Sequence, residues 1–175
     1  MTVELWDYAR GVVCLAFALA VVGKARDLGG FVHGVRSLGL LPRRLAAPVA
    51  GTVVALELAV VVAMLPGGAW TVAGLVLATA QLLVYTAALA VAMRRQGDVR
   101  CACFGPGTRP VTPVHLVRNG ILGAIAAAGI LAGVPHPAPA AADAALVLGP
   151  AAATALLLAA LDDVVALART PLHTD

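Results

Sequence analysis

The chain has 175 residues, of which 61% are hydrophobic and only 12% charged, with a mean hydropathy of +0.96 and a formal net charge of +3. Soluble domains are roughly 45–50% apolar and about 25% charged, so this composition excludes an ordinary soluble globular domain. The small basic excess forms no stripe and so few aromatics form no base-stacking platform, which excludes a nucleic-acid partner.

Five runs are apolar and long enough for a helix to cross a hydrocarbon core of about 30 Å. In chain order they cover about residues 5–23, 45–65, 70–93, 113–133 and 140–161. The links between them are too short for a soluble domain. The expected architecture is all-α: one integral membrane domain over residues 1–175, a polytopic transmembrane bundle with a four-helix core and a fifth C-terminal helix. Its backbone polar groups must be satisfied within the helices. The first run lacks the basic leader of a signal peptide, since Glu4 and Asp7 precede Arg10, and it reads as a retained helix.

The breaks between runs carry turn chemistry. Pro42 and Pro48 frame the entry to the second run, and Pro66-Gly67-Gly68 makes a tight turn after it. Pro113 falls at the start of the fourth run, where proline is tolerated in the first helical turn. Gly149-Pro150 is expected to kink the fifth helix. Gly129 and Gly133 have GxxxG spacing, which points to close helix packing.

Ten of the twelve Lys and Arg residues fall in the Lys24–Arg44 loop, the Arg94–Pro113 loop and the C-terminal tail. The two opposite connections have none. The positive-inside rule then puts the N-terminus outside and the C-terminus inside, with a multi-pass chain in a bacterial inner membrane.

The most distinctive short element is Cys101-Ala102-Cys103-Phe104-Gly105-Pro106, in the loop before the fourth run. Charge bias places it on the cytoplasmic side. Two thiols one residue apart are able to close a small disulfide ring, whose constrained geometry favours easy reduction and thiol exchange. Arg100 and Arg109 flank the pair, and positive charge favours thiolate over thiol. The bland alternative is two incidental thiols in a turn. Metal binding is the competing use. Zinc pairs are spaced by two to four residues, and Cu(I) would need His115 as a distant third ligand, so no metal site is assigned. Cys14 lies about halfway along the first helix, roughly 15 Å from the Lys24 end, and reads as a small buried hydrophobe.

Polar residues inside the apolar runs form a second group. Glu57 falls near the middle of the second helix and Gln81 near the middle of the third. A carboxylate at that depth demands a partner, and Arg118 and Lys24 are the candidates. The structural alternative is a polar clamp that sets helix register. The functional reading gives Arg118 the task of stabilising a thiolate and Glu57 that of exchanging a proton. His33, His136 and His173 read as surface or loop residues, and Asp162, Asp163 and Arg169 carry no assigned role.

Cys101-x-Cys103-Phe104-Gly105 followed by Arg118-Asn119 resembles the methylamine utilisation protein MauE family, which belongs with the DoxX-like membrane proteins. Gly23-Lys24, Leu38-Gly39-Leu40-Leu41-Pro42 and Glu57 also look like its pattern. The resemblance runs from about Arg10 to Leu131. Ala102 departs from the glycine that the family often places between the cysteines, which bears on ring geometry. The resemblance implies a four-helix core and a role in maturing periplasmic, disulfide-rich proteins beside a thioredoxin-like partner, in methylamine metabolism by name. It does not carry methylamine over as a substrate.

These readings converge on a membrane protein that assists thiol–disulfide and maturation chemistry, as a component of an oxidoreductase system. Cys101 and Cys103 would exchange, and Arg118, Glu57 and Lys24 would tune or gate them. Cytoplasmic thiols and external clients require an electron path across the membrane, completed by a quinone or a partner protein, or else the opposite topology. Two alternatives come from other classes. A small-solute or metal transporter would use Glu57, Gln81 and Arg118 as a midplane site. A non-catalytic assembly factor would tolerate loss of both thiols.

Overall fold

Long apolar runs in a bilayer satisfy their backbone N–H and C=O groups within helices, and every element of more than one turn among the described residues is an α-helix. The structure is a computed structural model and describes residues 2–96, 113–133, 141–161 and 165. The elements are α1 (Thr2–Arg26), α2 (Leu28–Ser37), a 3₁₀ turn (Arg43–Leu45), α3 (Ala46–Met64), α4 (Gly68–Gln96), α5 (Pro113–Ala132) and α6 (Ala141–Ala159).

Among the described residues, four helical stretches are long and apolar enough to cross a membrane: Val3–Arg26, Arg43–Met64, Gly68–Arg95 and Pro113–Ala132. The apolar Val147–Ala159 part of α6 is shorter. Helix α5 begins on Pro113, and α6 runs on through Pro150.

Helix α1 is central. It packs against α3, α5 and α6, while α4 packs against α3 and α5. Half of its apolar window is buried inside the bundle, against 22–33% for the other three spans. Trp6, Val12, Val13 and Phe17 from α1 meet Val60 and Met64 from α3, Leu75 from α4 and Leu122 from α5 in the core. Leu65, Leu83, Val84, Leu131 and Leu157 point outward and are exposed, as side chains facing lipid are.

Lipid tails are as apolar as leucine, so the hydrophobic effect does not press these helices together. Close packing and interhelical polar contacts do that work. A Cβ on Gly129 of α5 would stand 2.7 Å from the Ala9 Cβ of α1 and 3.2 Å from Leu75 of α4. One on Gly11 would stand 3.0 Å from the Ala151 Cβ of α6. The GxxxG pair therefore divides its labour: Gly129 admits the neighbouring helices, while Gly133, with φ of +65°, lies just beyond the end of α5 in the left-handed conformation that glycine tolerates.

Arg10 joins α1 to the far end of α3. Its Nε donates to the Met64 carbonyl at 2.7 Å and its Nη2 to the Leu65 carbonyl at 2.8 Å, supplying donors to carbonyls that a helix end leaves without intrahelical partners. Tyr8 and Thr154 share a hydrogen bond of 2.7 Å between α1 and α6.

The Lys24–Arg44 stretch, expected as a loop, contains α2. Asp27 caps this helix by accepting from the Gly30 N–H at 2.8 Å. Its apolar side buries Phe31 and Gly34 as it lies against α3 and α1. Gly29 and Gly30 in its first turn weaken the helical signal in the sequence, and packing against the bundle overrides that weakness.

Candidate functional site

Glu57 sits in the fourth turn of α3, about 16 Å along the helix from Ala46. It is 2% exposed. A carboxylate there loses its hydration, and the cost is tolerable only when its oxygens are paired. Lys24, near the end of α1 and also buried, supplies the pair. Its Nζ donates to Glu57 Oε1 at 2.7 Å and to Oε2 at 2.9 Å. The same ammonium lies 5.2 Å from the centre of the Phe31 ring, a cation–π contact contributed by α2. Of the two partners expected for Glu57, the one that forms its ion pair is Lys24.

Tyr85 of α4 completes the arrangement. Its hydroxyl lies 3.1 Å from Glu57 Oε1 and 3.0 Å from Gln81 Oε1, one turn earlier on the same helix. A phenol has one proton to donate. The carboxylate is the stronger acceptor, so the proton goes to Glu57. The Tyr85 oxygen is then able to accept from the Gln81 amide when that amide turns its NH₂ towards it. Lys24, Glu57, Tyr85 and Gln81 thus form one hydrogen-bonded chain spanning α1, α3 and α4.

This chain borders a cavity of about 300 Å³, at the lower end of the range for ligand pockets. Apolar side chains form most of its wall, among them Phe17, Phe31, Val53, Leu82, Ala88 and Leu122. The charged and hydrogen-bonding side chains on the wall are those of Lys24, Glu57, Tyr85, Arg118 and Asn119. Arg118 and Asn119 come from the second turn of α5 and are both buried. Leu41 and Val84 also line the cavity and are exposed, which gives it a mouth on the apolar outer surface.

The bundle therefore brings together Lys24, Glu57 and Arg118 on one cavity, with Gln81 behind Tyr85. Cys101 and Cys103 lie outside the described residues, as do Arg100, Arg109, His136, His173, Asp162, Asp163 and Arg169. Cys14 is half-buried and packs against the apolar core. His115 is buried in the first turn of α5, and His33 is exposed on α2. Among the described residues no three His, Cys, Asp or Glu side chains converge as a metal ion would require.

Two contributors were missed by sequence reasoning. Tyr85 is one of two tyrosines in the chain, and a phenol inside an apolar span needs a hydrogen-bond partner; its position four residues after Gln81 was the available signal. Phe31 belongs to the Leu28, Phe31, Val35, Leu38 pattern, which has helical spacing.

A family model described as methylamine utilisation protein MauE matches residues 2–132. The methylamine utilization protein MauE of Paracoccus denitrificans is 37% identical over 142 residues, covering 78% of this chain and 73% of that protein. No solved structure matches. The matched segment contains α1 to α5 and with them every residue of the cavity wall.

Proposed function

The chain belongs to the methylamine utilisation protein MauE family, and from that premise we propose that this multi-pass membrane protein assists the maturation of exported, disulfide-rich proteins by thiol–disulfide exchange at Cys101 and Cys103. The observation that carries the reading is the buried Lys24–Glu57–Tyr85 chain with Arg118 beside it. These groups sit towards the end of the bundle where α1 and α4 finish and α3 and α5 begin. The connection between Gln96 and Pro113, which contains both cysteines, joins α4 to α5 at that end.

In this reading the Cys101–Cys103 disulfide exchanges with the dithiol of a thioredoxin-like partner. One partner thiolate attacks a sulfur of the pair, a mixed disulfide forms, and the partner's second thiolate releases Cys101 and Cys103 as a dithiol while the partner's own disulfide closes. Arg118 favours the thiolate form by its positive charge, and the Lys24–Glu57 pair takes up or returns the protons that exchange displaces.

The proposed orientation places the N-terminus outside and the cysteine connection inside a bacterial inner membrane. Arg26, Arg36, Arg43, Arg44, Arg94 and Arg95 are all exposed at the end of the bundle that bears this connection. Lys24 leaves the charge tally because it is turned into the bundle, and the bias stands without it.

Maleimide labelling of Cys101 and Cys103 in intact cells and in inverted vesicles, with and without reductant, tests both points. Labelling only after reduction supports a redox pair, and the side that reacts gives the topology. If the thiols stay reduced throughout and Cys101→Ser and Cys103→Ser retain full function, the exchange reading is lost. The linkage of Gln81 to Glu57 through Tyr85 favours one other reading, a transporter with a midplane polar site. For that, Glu57→Gln abolishes solute uptake while the thiol state is unchanged.

A further inference from the structure

The cavity has a feature that a lipid-filled gap between helices does not require: a chain of titratable groups forms part of its wall. A lipid tail needs only apolar side chains, whereas Lys24, Glu57 and Tyr85 are costly to bury. Their presence implies an occupant that hydrogen-bonds and exchanges protons at one end while remaining apolar elsewhere. The mouth at Leu41 and Val84 faces the lipid side of the bundle, so the occupant enters from the bilayer and not from water.

Three classes of membrane-soluble molecule meet the apolar requirement: phospholipids, free fatty acids and isoprenoid quinones. The first two bring a phosphate or a carboxylate, which Arg118 on the same wall could pair but which calls for no chain of groups that gives and takes protons. A quinone head is neutral and bears two carbonyl acceptors, which the Asn119 amide and the Arg118 guanidinium are able to meet. On reduction its carbonyls become hydroxyls, and the same wall offers the Glu57 carboxylate as an acceptor. The site thus has partners for both redox states.

We infer that this cavity is a binding site for an isoprenoid quinone, with the head ring at the Lys24–Glu57–Tyr85–Arg118 end and the tail leaving between Leu41 and Val84. The inference deepens the thiol-exchange reading and rests on it for the origin of the electrons. The dithiol of Cys101 and Cys103 loses two electrons and two protons and becomes a disulfide; the quinone gains two electrons and two protons and becomes a quinol. No other oxidant is needed.

The test is binding of decylubiquinone and of a short-chain menaquinone to the full chain in nanodiscs of synthetic phosphatidylcholine, with an azido-quinone to map the site by photolabelling. Saturable binding near one quinone per chain is expected, with label on peptides carrying Val53 and Ala88. The double variant Cys101→Ser/Cys103→Ser binds as well as the unaltered chain, because no cysteine is among the described residues that line the cavity. Ala88→Trp and Val53→Trp, which fill the cavity, weaken binding at least tenfold while thermal unfolding in the same nanodiscs stays within a few degrees. Tyr85→Phe, a smaller change, weakens it less.

Absence of saturable binding to the unaltered chain overturns the inference, as does label confined to peptides outside the cavity wall, or displacement of the quinone by oleate at equal concentration. The two proposals fail separately. Quinone bound at the cavity with thiols that never oxidise removes the exchange reading and leaves the site standing. Thiols that cycle in a chain that binds no quinone remove the site and leave exchange standing.

Discussion

The Lys24 ammonium holds both oxygens of the Glu57 carboxylate, at 2.7 and 2.9 Å, in a place where each residue is at most 4% exposed. This pair links the end of α1 to the middle of α3. Because α3 begins at the end of the bundle where α1 finishes, Lys24 must reach inwards along the helix to meet Glu57. Long basic side chains near helix ends usually extend the opposite way, towards the interface. The inward course marks the pair as a built element of the cavity.

Removing one partner leaves an uncompensated buried charge. Lys24→Met and Glu57→Leu as single changes should each destabilise the protein by about 3–5 kcal/mol. The double change replaces the pair by apolar groups of similar size and should recover most of that loss. Unfolding by denaturing detergent, followed by far-ultraviolet circular dichroism, measures all three variants. If the pair is only a clamp, the double variant also recovers function. If it handles protons, the double variant is stable and inactive.

Tyr85→Phe deletes one hydroxyl from the chain and leaves the ring in place. The expected stability loss is about 0.5–1.5 kcal/mol, the net worth of a typical hydrogen bond. A fall of more than about 3 kcal/mol in the same unfolding measurement would show that the hydroxyl does more to hold the buried carboxylate than one ordinary hydrogen bond.

Gly129 and Gly123 make a paired prediction. A methyl at Gly129 meets the Ala9 Cβ at 2.7 Å, whereas one at Gly123 meets nothing within 4 Å. Gly129→Ala should cost about 1–3 kcal/mol through overpacking, and Ala9→Gly on the same background should restore part of it. Gly123→Ala should be neutral or stabilising by up to about 1 kcal/mol, from helix propensity alone. Melting temperatures in one detergent check the contrast.

Arg10→Ala removes the donors to the Met64 and Leu65 carbonyls. A charged hydrogen bond is worth about 1.5–3 kcal/mol when buried. These are half-buried and exposed, so a loss of about 1 kcal/mol is expected, less than at Lys24 or Glu57. Hydrogen exchange should show the last turn of α3 opening more readily in this variant, with α5 unchanged.

Cys14→Ala should leave thiol exchange intact and cost under about 1 kcal/mol, since the side chain packs as a small hydrophobe in the core. Loss of exchange in this variant, measured by alkylation of the remaining thiols, would give Cys14 a redox role.

Much of the architecture was legible because a bilayer reduces the choices. Apolar runs of membrane-crossing length must become helices, and four of the five runs coincide with stretches that meet the length and hydropathy of a span. Helix ends were legible where proline stated them, as at Pro113. Helix α2 was not, since its glycines argue against a helix and only the bundle beneath it gives Phe31 a place to pack. The family was legible too: the Cys-x-Cys-Phe-Gly element and Arg118-Asn119 are local patterns, and the family match bears out the resemblance drawn from them.

The sequence by itself determined that this is a helical membrane protein, which runs are candidates to cross a bilayer, and that Glu57 must have a partner. It could not choose between Lys24 and Arg118, because both lie at compatible depths and the choice depends on how α1 and α5 rotate about their axes. It gave no sign of the cavity, which exists only where five helical segments fail to fill the space between them. Rotation is decided by packing: Gly129 against Ala9, Gly11 against Ala151 and the core around Phe17 set the facing sides of the helices. Once those sides are set, Lys24 meets Glu57, Tyr85 meets both Glu57 and Gln81, and Arg118 lines the same cavity. Depth in the membrane is a one-dimensional property that a sequence carries; which polar groups meet at a given depth is decided in the plane of the bilayer, by tertiary contacts.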